Sequence, residues 1–311
     1  MARAVGIREP GGFEVLSVID RFVRSPVEGE VRIAVAAAAV NPTDLGLRAA
    51  GAGGDLAPPW TPGMDAAGTI ESVGAGVTHL APGDQVMAAV SPRRPEGGAQ
   101  AELLIAPAAS VVPIPDGAGC DQASTLPMNG LTALLGLQLL GLRAGETLAV
   151  SGGAGLLASY VIGLGSERGL HVIADAAPED EQLVRSFGAD VVVERGDDFA
   201  AVVRDAAPDG ADGLFDTALL GHEGFGALCD GGCAAVVRGW DGSEAARAVS
   251  VRPVWVREVL QRTDWLLELR ELAGDGRLKL RVAGRYPPEQ AAEAQRAMDA
   301  GGLRGRALIV F

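Results

Sequence analysis

A glycine-rich turn between a short strand and a helix constrains this chain more than any other feature of its sequence. The segment Ser151–Ala158 contains a G-x-G-x-x-A pattern. Gly153 permits a tight turn out of the strand, Gly155 leaves room for a close approach to the backbone, and Ala158 is small enough for the helix to pack on a sheet. Together with Gly152, they predict a phosphate-binding turn at a helix N-terminus, as in dinucleotide-binding proteins.

Short apolar strands and helices alternate on both sides of this turn. The spacing of apolar residues predicts a strand at Thr147–Ser151, a helix at Leu156–Arg168 and a second strand at His171–Asp175. The alternation begins with a helical segment at Gln122–Leu140. Such alternation is typical of βαβ units around a parallel sheet. We therefore predict a doubly wound, dinucleotide-binding α/β domain over residues 121–274.

The rest of the chain has the pattern of an irregular β domain. Apolar runs such as Val31–Val40 and Gln85–Val90 are separated by turn sequences, among them Pro82-Gly83-Asp84, in which proline and glycine favour the backbone angles of a turn. The C-terminal tail returns to a strand–helix–strand pattern. We predict a β domain formed by residues 1–120 and completed by residues 275–311.

The charge of the chain restricts its partners. Its 311 residues contain 26 Lys and Arg against 40 Asp and Glu, which gives a formal net charge of −14. This charge repels nucleic-acid phosphates and anionic membranes, so we expect neither as a partner. No apolar run reaches the roughly 18 residues that a membrane span needs, and Met1–Pro10 lacks the layout of a signal peptide. We expect a cytoplasmic protein that acts on a small molecule.

The strand after the glycine turn bears on the choice of nucleotide. Asp175 lies roughly 20 residues beyond the turn, where a carboxylate accepts the ribose hydroxyls of NAD, although it could equally cap the next helix. The residues immediately after it include no Lys or Arg, which locally favours NADH. Arg185, Arg195 or Arg306 could still reach a 2′-phosphate in the folded chain. Arg238 ends a late strand, where open sheets bind ligands.

Several spaced motifs together resemble one protein family. They are Asn41-Pro42-Thr43-Asp44, Thr61-Pro62-Gly63-Met64-Asp65-Ala66-Ala67-Gly68, Val73-Gly74-Ala75-Gly76-Val77, Pro82-Gly83-Asp84-Gln85-Val86, Leu126-Pro127-Met128-Asn129-Gly130-Leu131-Thr132-Ala133, Phe187-Gly188-Ala189-Asp190 and Gly302-Leu303-Arg304-Gly305-Arg306. With the glycine turn, they resemble the medium-chain dehydrogenase/reductases, in particular their zinc-independent, quinone oxidoreductase-like branch. The resemblance covers almost the whole chain. It implies a GroES-like β domain, a Rossmann domain between its two parts, a nicotinamide cofactor and a homodimer.

Zinc-dependent members of this family carry ligands that this chain lacks. They have Cys where Asn41 stands, His-Glu where Met64-Asp65 stands and a third ligand near Met128. Asn and Met side chains do not form the site of N, S and O donors that zinc requires. The three cysteines, Cys120, Cys229 and Cys233, are too few for a four-thiolate structural site. We therefore predict chemistry without zinc and no metal site.

The resemblance also implies which residues contact the reactants. Asn41 would donate a hydrogen bond in the substrate pocket, Thr132 would place a hydroxyl near the nicotinamide, and Asp44 would orient the loop. Many relatives have a tyrosine shortly after the Asn loop, where this chain has Leu45-Gly46-Leu47, so water is an alternative proton donor. The predicted cofactor-binding residues are Gly152, Gly153, Gly155, Ala158, Asp175, Arg238 and Arg306.

These features predict an oxidoreductase that transfers hydride from NADPH or NADH to a quinone or a small α,β-unsaturated carbonyl. Family habit favours NADPH, whereas the loop at Asp175 favours NADH. One alternative is an enoyl-thioester reductase of the fatty-acid or polyketide type, which needs basic residues such as Arg93 and Arg94 at the mouth of its site. The other is a homologue that binds the cofactor without catalysis, as a sensor or structural protein.

Overall fold

Fifteen strands and nine α-helices make up the computed structural model, which describes residues 1–311. In chain order the strands are β1 (Ala2–Ile7), β2 (Leu16–Arg21), β3 (Glu30–Ala39), β4 (Asp65–Val73), β5 (Gln85–Ala89), β6 (Leu103–Pro107), β7 (Val111–Pro113), β8 (Thr147–Ser151), β9 (His171–Ala176), β10 (Val191–Glu194), β11 (Ala211–Asp216), β12 (Leu228–Val236), β13 (Ser250–Pro253), β14 (Val282–Tyr286) and β15 (Arg306–Val310). The helices are α1 (Pro42–Ala50), α2 (Cys120–Ala123), α3 (Pro127–Leu140), α4 (Leu156–Glu167), α5 (Glu181–Arg185), α6 (Phe199–Ala206), α7 (His222–Phe225), α8 (Thr263–Gly274) and α9 (Ala291–Asp299). None of these helices is both long and apolar enough to cross a membrane.

The chain divides into two compact units, which we name the β unit and the parallel-sheet unit. The β unit comprises residues 1–128, 259–275 and 280–311, and the parallel-sheet unit comprises residues 129–258 and 276–279. Helix α8 belongs to the β unit, where the hydroxyl of Thr263 donates to the carbonyl of Ala109 at 2.7 Å. The predicted limits of the dinucleotide-binding domain, residues 121 and 274, place α8 in that domain and not in the β unit. These limits stay a prediction.

The β unit is built on a seven-stranded sheet. Its strands lie in the order β14-β15-β3-β4-β5-β7, and β6 also pairs with β3. Only β14 and β15 run parallel to each other. Val31, Ile33, Ile70, Val86 and Leu104 belong to its buried apolar core. This architecture confirms the predicted GroES-like β domain.

The parallel-sheet unit contains six strands in the order β10-β9-β8-β11-β12-β13, and every pairing in it is parallel. Numbered from β8, the order is 3-2-1-4-5-6, which is the order of dinucleotide-binding sheets. Leu148, Ala149 and Val150 in β8 are fully buried, as expected for a strand covered on both faces. The predicted Rossmann architecture is confirmed. In such sheets, ligands bind at the carboxyl ends of the strands where the order reverses, which is here beside β8.

Two segments differ from the predicted elements. Gln122–Leu140 is not one helix but parts of α2 and α3, because Pro127 begins the second helix and has no N–H for the turn before it. The late strand predicted to end at Arg238 is β12, which spans Leu228–Val236. Its early residues include the pair Gly231-Gly232, and Gly231 has a φ of 76°. Because such a pair favours a turn when only the sequence is considered, the first half of the strand was not predicted.

Candidate functional site

Asn41 and Asp44 lie at the start of α1, and Asp44 ties this helix to a second loop. Asn41 is the N-cap residue, and Pro42 follows it in the first turn, where the missing N–H of proline costs no helical bond. One carboxylate oxygen of Asp44 accepts the backbone N–H of Asn41 at 2.8 Å, and the other accepts the N–H of Gly63 at 2.8 Å. Asp44 is fully buried. This geometry supports the loop-orienting role expected for Asp44, and its part in catalysis stays a prediction.

The side-chain amide of Asn41 is held from both ends. Its Nδ2 donates to Oδ2 of Asp65 at 2.6 Å, and its Oδ1 accepts from Nε of Arg306 at 2.8 Å. The other oxygen of Asp65 accepts the backbone N–H of Met128 at 2.6 Å. Asn41 and Asp65 are fully buried, and Arg306 is nearly so. The amide therefore has one defined orientation, set by an acid on one side and a guanidinium on the other.

Burial changes the proton affinity of both acids. It raises the pKa of Asp65 to about 7, against the hydrogen bonds from Met128 and Asn41, which lower it. It also raises the pKa of Asp44 to about 6, against the N–H groups of Asn41 and Gly63. Asp65 therefore titrates near neutral pH. A perturbed acid beside a candidate catalytic amide is typical of a functional site.

Asp65 was not predicted as a functional residue. Met64-Asp65 was considered only as the place of an absent zinc ligand. The signal was an acid at the start of a strand and directly before three small residues, in the segment Asp65-Ala66-Ala67-Gly68. An ionisable residue in such a segment needs a buried hydrogen-bonding partner, and that partner is Asn41.

The glycine turn has the backbone geometry that a pyrophosphate needs. Gly152 has a φ of 72°, a conformation that favours glycine. A Cβ on Gly153 would lie 2.6 Å from the carbonyl of Asp175, which leaves no room for a side chain. Gly155 is the N-cap of α4 and offers no side-chain oxygen to the first helical N–H groups. Ala158 is fully buried in α4. An anion can therefore approach the N-terminus of α4 without displacing a side-chain cap.

Asp175 serves the glycine turn itself. Its Oδ1 accepts the N–H of Gly152 at 2.5 Å and that of Gly153 at 3.3 Å. Its Oδ2 accepts Nε of Arg195 at 2.7 Å, and its side chain is only 8% exposed, against 43% for Arg195. The carboxylate therefore already has partners, and one of them is Arg195, one of the three arginines expected to be able to reach a 2′-phosphate. Contact of Asp175 with a cofactor stays a prediction.

A second acid, Asp216, ties the ends of two neighbouring strands together and was missed in the sequence analysis. Its Oδ1 accepts the hydroxyl of Ser151 at 2.8 Å, and its Oδ2 accepts the N–H of Gly221 at 2.9 Å. Thr217 donates to the carbonyl of Ser151 at 2.5 Å. Because β8 and β11 are adjacent in the sheet, these bonds fix the loop after β11 beside the glycine turn.

The remaining predicted residues lie in different places. Thr132 is nearly buried in α3 of the parallel-sheet unit. Arg238 is exposed just after β12 and has a φ of 65°, which is uncommon for a residue with a side chain. Arg306, predicted to bind the cofactor, belongs to the β unit and hydrogen-bonds Asn41. Their contacts with a cofactor stay predictions.

The positions of the family's zinc ligands contain no metal-binding set. Asn41 hydrogen-bonds Asp65 and Arg306, while Met64 and Met128 are nearly buried apolar side chains. The structure contains no group of three or more His, Cys, Asp and Glu residues placed to hold a metal ion. A thioether and an amide are poor zinc ligands, and the absence of zinc from the protein stays a prediction that metal analysis tests.

Comparisons with known proteins agree with this geometry. The alcohol dehydrogenase GroES-like domain matches residues 27–116, and the zinc-binding dehydrogenase model matches residues 187–309. The chain is 31% identical over 310 residues to the chloroplastic NADPH-dependent alkenal/one oxidoreductase of Arabidopsis thaliana, a match that covers 96% of the chain and 77% of that relative. The chain belongs to the medium-chain dehydrogenase/reductase superfamily. It is therefore an oxidoreductase by family.

Other members of the superfamily are similar over different lengths. The chain is 33% identical over 192 residues to the quinone oxidoreductase of Rattus norvegicus, covering 61% of the chain and 57% of that relative. A solved NAD-dependent alcohol dehydrogenase matches with a TM-score of 0.86 at 28% identity, covering 99% of each chain. A mycobacterial protein solved with NADPH matches with a TM-score of 0.87 at 26% identity, covering 100% of each chain. The first of these structures is named for NAD and the second for NADPH. Membership of the superfamily therefore does not decide which of the two cofactors this chain binds.

Proposed function

We propose that this member of the superfamily transfers hydride from NADPH to an α,β-unsaturated carbonyl or a quinone. The observation that carries the proposal is the buried hydrogen-bonded group of Asn41, Asp65 and Arg306, in which Asn41 and Asp65 stand at positions where metal-dependent relatives have zinc ligands. These side chains offer hydrogen bonds and one positive charge in place of a Lewis acid. A conjugated acceptor suits such a site, because the negative charge that develops on hydride addition is delocalised and needs only oriented donors.

We infer that the glycine turn holds the pyrophosphate of the cofactor, which supplies the hydride when bound. Gly152 and Gly153 keep the turn close to the end of β9, and Asp175 locks it by accepting both of their N–H groups. Gly155 leaves the N-terminus of α4 uncapped by a side chain. These features support binding of an anionic group by backbone N–H groups and the helix dipole.

The pairing of Asp175 with Arg195 supports NADPH over NADH. The carboxylate of Asp175 accepts three donors within the protein, so it is poorly placed to accept two ribose hydroxyls as well. Arg195 lies beside it and is 43% exposed. A guanidinium pairs with a phosphate through parallel hydrogen bonds. We propose that Arg195 binds the 2′-phosphate of NADPH.

For the chemical step we propose distinct roles for the residues of the β unit. Asp65 orients the amide of Asn41, and the bond from Arg306 to Oδ1 polarises that amide, which strengthens its N–H groups as donors. Asn41 then stabilises the negative charge that develops on the substrate carbonyl oxygen. Since Leu45-Gly46-Leu47 stands where relatives have a tyrosine, water delivers the proton to carbon.

An enoyl thioester is also a conjugated carbonyl, and the same polar group would serve its reduction. Of the basic residues proposed for its phosphate-bearing arm, Arg94 lines a cavity of the β unit to which none of Asn41, Asp65 and Arg306 contributes. Its position therefore gives this alternative no support. A non-catalytic role as a sensor or structural protein is the other alternative, and NADPH binding without turnover would be its sign.

Oxidation of NADPH by the purified protein, followed at 340 nm, tests the proposal. The panel contains a 2-alkenal, an alkyl vinyl ketone, a benzoquinone, an enoyl-coenzyme A and a saturated ketone. We expect turnover with the first three and none with the saturated ketone. Turnover with the enoyl-coenzyme A alone would favour the thioester alternative. Tight NADPH binding with no turnover on any member of the panel would favour the non-catalytic one.

We further propose that the protein is a homodimer, as the family resemblance implies. Light scattering coupled to size-exclusion chromatography should give twice the chain mass of 31.7 kDa. A mass equal to one chain at micromolar concentration would contradict this proposal.

A further inference from the structure

A cavity of about 590 Å³ lies within the β unit, and the proposed hydride transfer makes no use of it. It is formed by the end of β2, the loop before Thr61 and the loop between β5 and β6. Its apolar lining includes Leu56 and Trp60, and Phe22 lies at its rim with 79% of its surface exposed. A volume of this size is typical of a small-molecule site. An exposed aromatic side chain beside it offers further apolar contact area.

Two arginines that line this cavity are bonded to backbone carbonyls and not to carboxylates. Arg21 donates from Nη1 to the carbonyl of Glu96 at 2.6 Å and from Nη2 to that of Leu103 at 2.9 Å. Its Nε is buried without a hydrogen-bond partner. Arg94 donates from Nε to the carbonyl of Gly97 at 3.0 Å. These hydrogen bonds go to neutral carbonyls, and the carboxylate of Glu96 acts on both guanidinium groups through its charge.

The carboxylates nearest to these arginines are occupied by a third arginine. Arg24 binds Glu30 at 2.5 Å and Glu96 at 2.7 Å. Burial lowers the pKa of Arg94 to about 10, while the carboxylates of Glu96 and Glu30 raise it and the positive charges of Arg21 and Arg24 lower it. Burial also lowers the pKa of Arg21. Two partly dehydrated cations therefore lie side by side in a protein whose net charge is −14, an arrangement that an incoming anion would relieve.

We propose that this cavity binds a small amphipathic anion, a molecule with one carboxylate or phosphate group on an apolar body. The head group would pair with Arg21 and Arg94, because both guanidinium groups match the geometry of carboxylate and phosphate oxygens. The apolar body would lie against Leu56, Trp60 and Phe22. None of these residues belongs to the groups that we assign to hydride transfer or to the nicotinamide cofactor.

Isothermal titration of the full chain with decanoate, decyl phosphate, decanol and inorganic phosphate tests this proposal. We expect decanoate or decyl phosphate, or both, to bind at least about tenfold more tightly than decanol and than phosphate alone. Arg94→Gln should weaken binding of the anionic ligand about tenfold. Arg143→Gln, which removes the same charge from a side chain that is 87% exposed in the other unit, should leave it unchanged. Equal affinity for decanoate, decyl phosphate and decanol, or no effect of Arg94→Gln, would overturn the proposal.

A second variant tests the apolar contacts of the ligand and leaves the buried arginines unchanged. Phe22→Ser removes an exposed side chain and should leave the fold intact, while it weakens decanoate or decyl phosphate binding about fivefold through lost apolar contact. Leu267→Ser, at a side chain that is 41% exposed on α8, is the matched control and should have no effect. Unchanged binding in Phe22→Ser would overturn the proposal that the apolar body of the ligand packs against Phe22. Thermal unfolding and NADPH affinity confirm that each variant is folded.

Discussion

The side-chain amide of Asn41 donates to the carboxylate of Asp65 at 2.6 Å, although the two residues lie 24 positions apart in the chain. Sheet order explains how they meet. Asn41 follows β3, Asp65 begins β4 and Arg306 begins β15, and these three strands are neighbours in the order β15-β3-β4. The sheet therefore assembles an amide, an acid and a guanidinium at one place.

Removal of the amide should impair turnover and spare cofactor binding. We expect Asn41→Ala to lower kcat/KM for an enone about 100-fold, because one oriented donor to a developing negative charge is lost. The dissociation constant for NADPH should change less than about twofold. Ile70→Val, a mild change in β4, is the control for destabilisation. Steady-state kinetics give kcat/KM, and fluorescence titration gives the dissociation constant for NADPH. A parallel loss of NADPH affinity would contradict the role assigned to Asn41.

The buried acid Asp65 should make folding stability fall as pH rises. Its pKa is about 7 in the folded chain against 3.8 for an ordinary Asp, so between these values the folded state holds a proton that the unfolded state has released. The stabilisation from this proton is complete below about pH 4 and is lost as pH rises through 7, on the order of 4 kcal/mol. Asp44, at about 6, acts in the same direction. Urea unfolding from pH 4.5 to 7.5 should give a shallower slope for Asp65→Asn than for the wild type, and identical slopes would contradict the assignment.

A side chain at the N-cap of α4 should block the cofactor and leave the fold intact. Gly155 has a φ of −65°, which any residue adopts, and a Cβ there would meet only the carbonyl of Gly152 at 3.1 Å. We expect Gly155→Val to lower affinity for both nicotinamide cofactors at least about tenfold. Gly119→Val is the matched control, at a helix N-cap with no neighbour near the added Cβ. Full cofactor affinity in Gly155→Val would mean that the phosphates bind elsewhere.

The choice of cofactor should depend on Arg195. We expect Arg195→Gln to weaken NADPH binding about tenfold, because a charge-assisted bond to the 2′-phosphate is lost, and to leave NADH binding unchanged. Arg262→Gln, at an arginine of similar exposure that is paired with Asp264 in the other unit, controls for the change of charge. Titration of NADPH and NADH on one sample of each variant measures both dissociation constants. An equal loss for NADPH and NADH would indicate that Arg195 acts only by holding Asp175.

Metal analysis should show no stoichiometric zinc in the purified protein, and activity should survive incubation with a chelator. The physical reason is the donor set at the ligand positions, an amide from Asn41 and thioethers from Met64 and Met128. One tightly bound zinc per chain by atomic emission, with activity lost on its removal, would contradict this prediction.

The fold could be predicted from the sequence because its signals are local and repeated. Strands such as Thr147–Ser151 are bounded by turns and buried on both faces, so their apolar runs are short and continuous. The helix predicted at Leu156–Arg168 from the spacing of apolar residues is α4, Leu156–Glu167. The edge strand β13 was not predicted, because Ser250–Pro253 contains a charged residue and a proline and forms a strand only by pairing with β12.

The candidate site could be predicted only in part, because its contacts join distant residues. The position of Gly152 and Gly153 follows from a local motif, whereas the partners of Asp175 do not. Arg195 lies 20 positions along the chain from Asp175, and β10 brings it to the same edge of the sheet as β9. The residues next to Asp175 in the sequence favoured NADH only locally, and the folded strand ends add the positive charge of Arg195.

Transfer of deuterium from NADPH labelled at C4 to an alkyl vinyl ketone is the sharpest test of metal-independent hydride transfer to a conjugated carbon. We expect a saturated ketone with one deuterium at the carbon β to the carbonyl and a solvent proton at the α carbon, formed at the same rate in the presence of a chelator. Deuterium on the carbonyl carbon, in an alcohol product, or a reaction that stops when metal is removed, would contradict it.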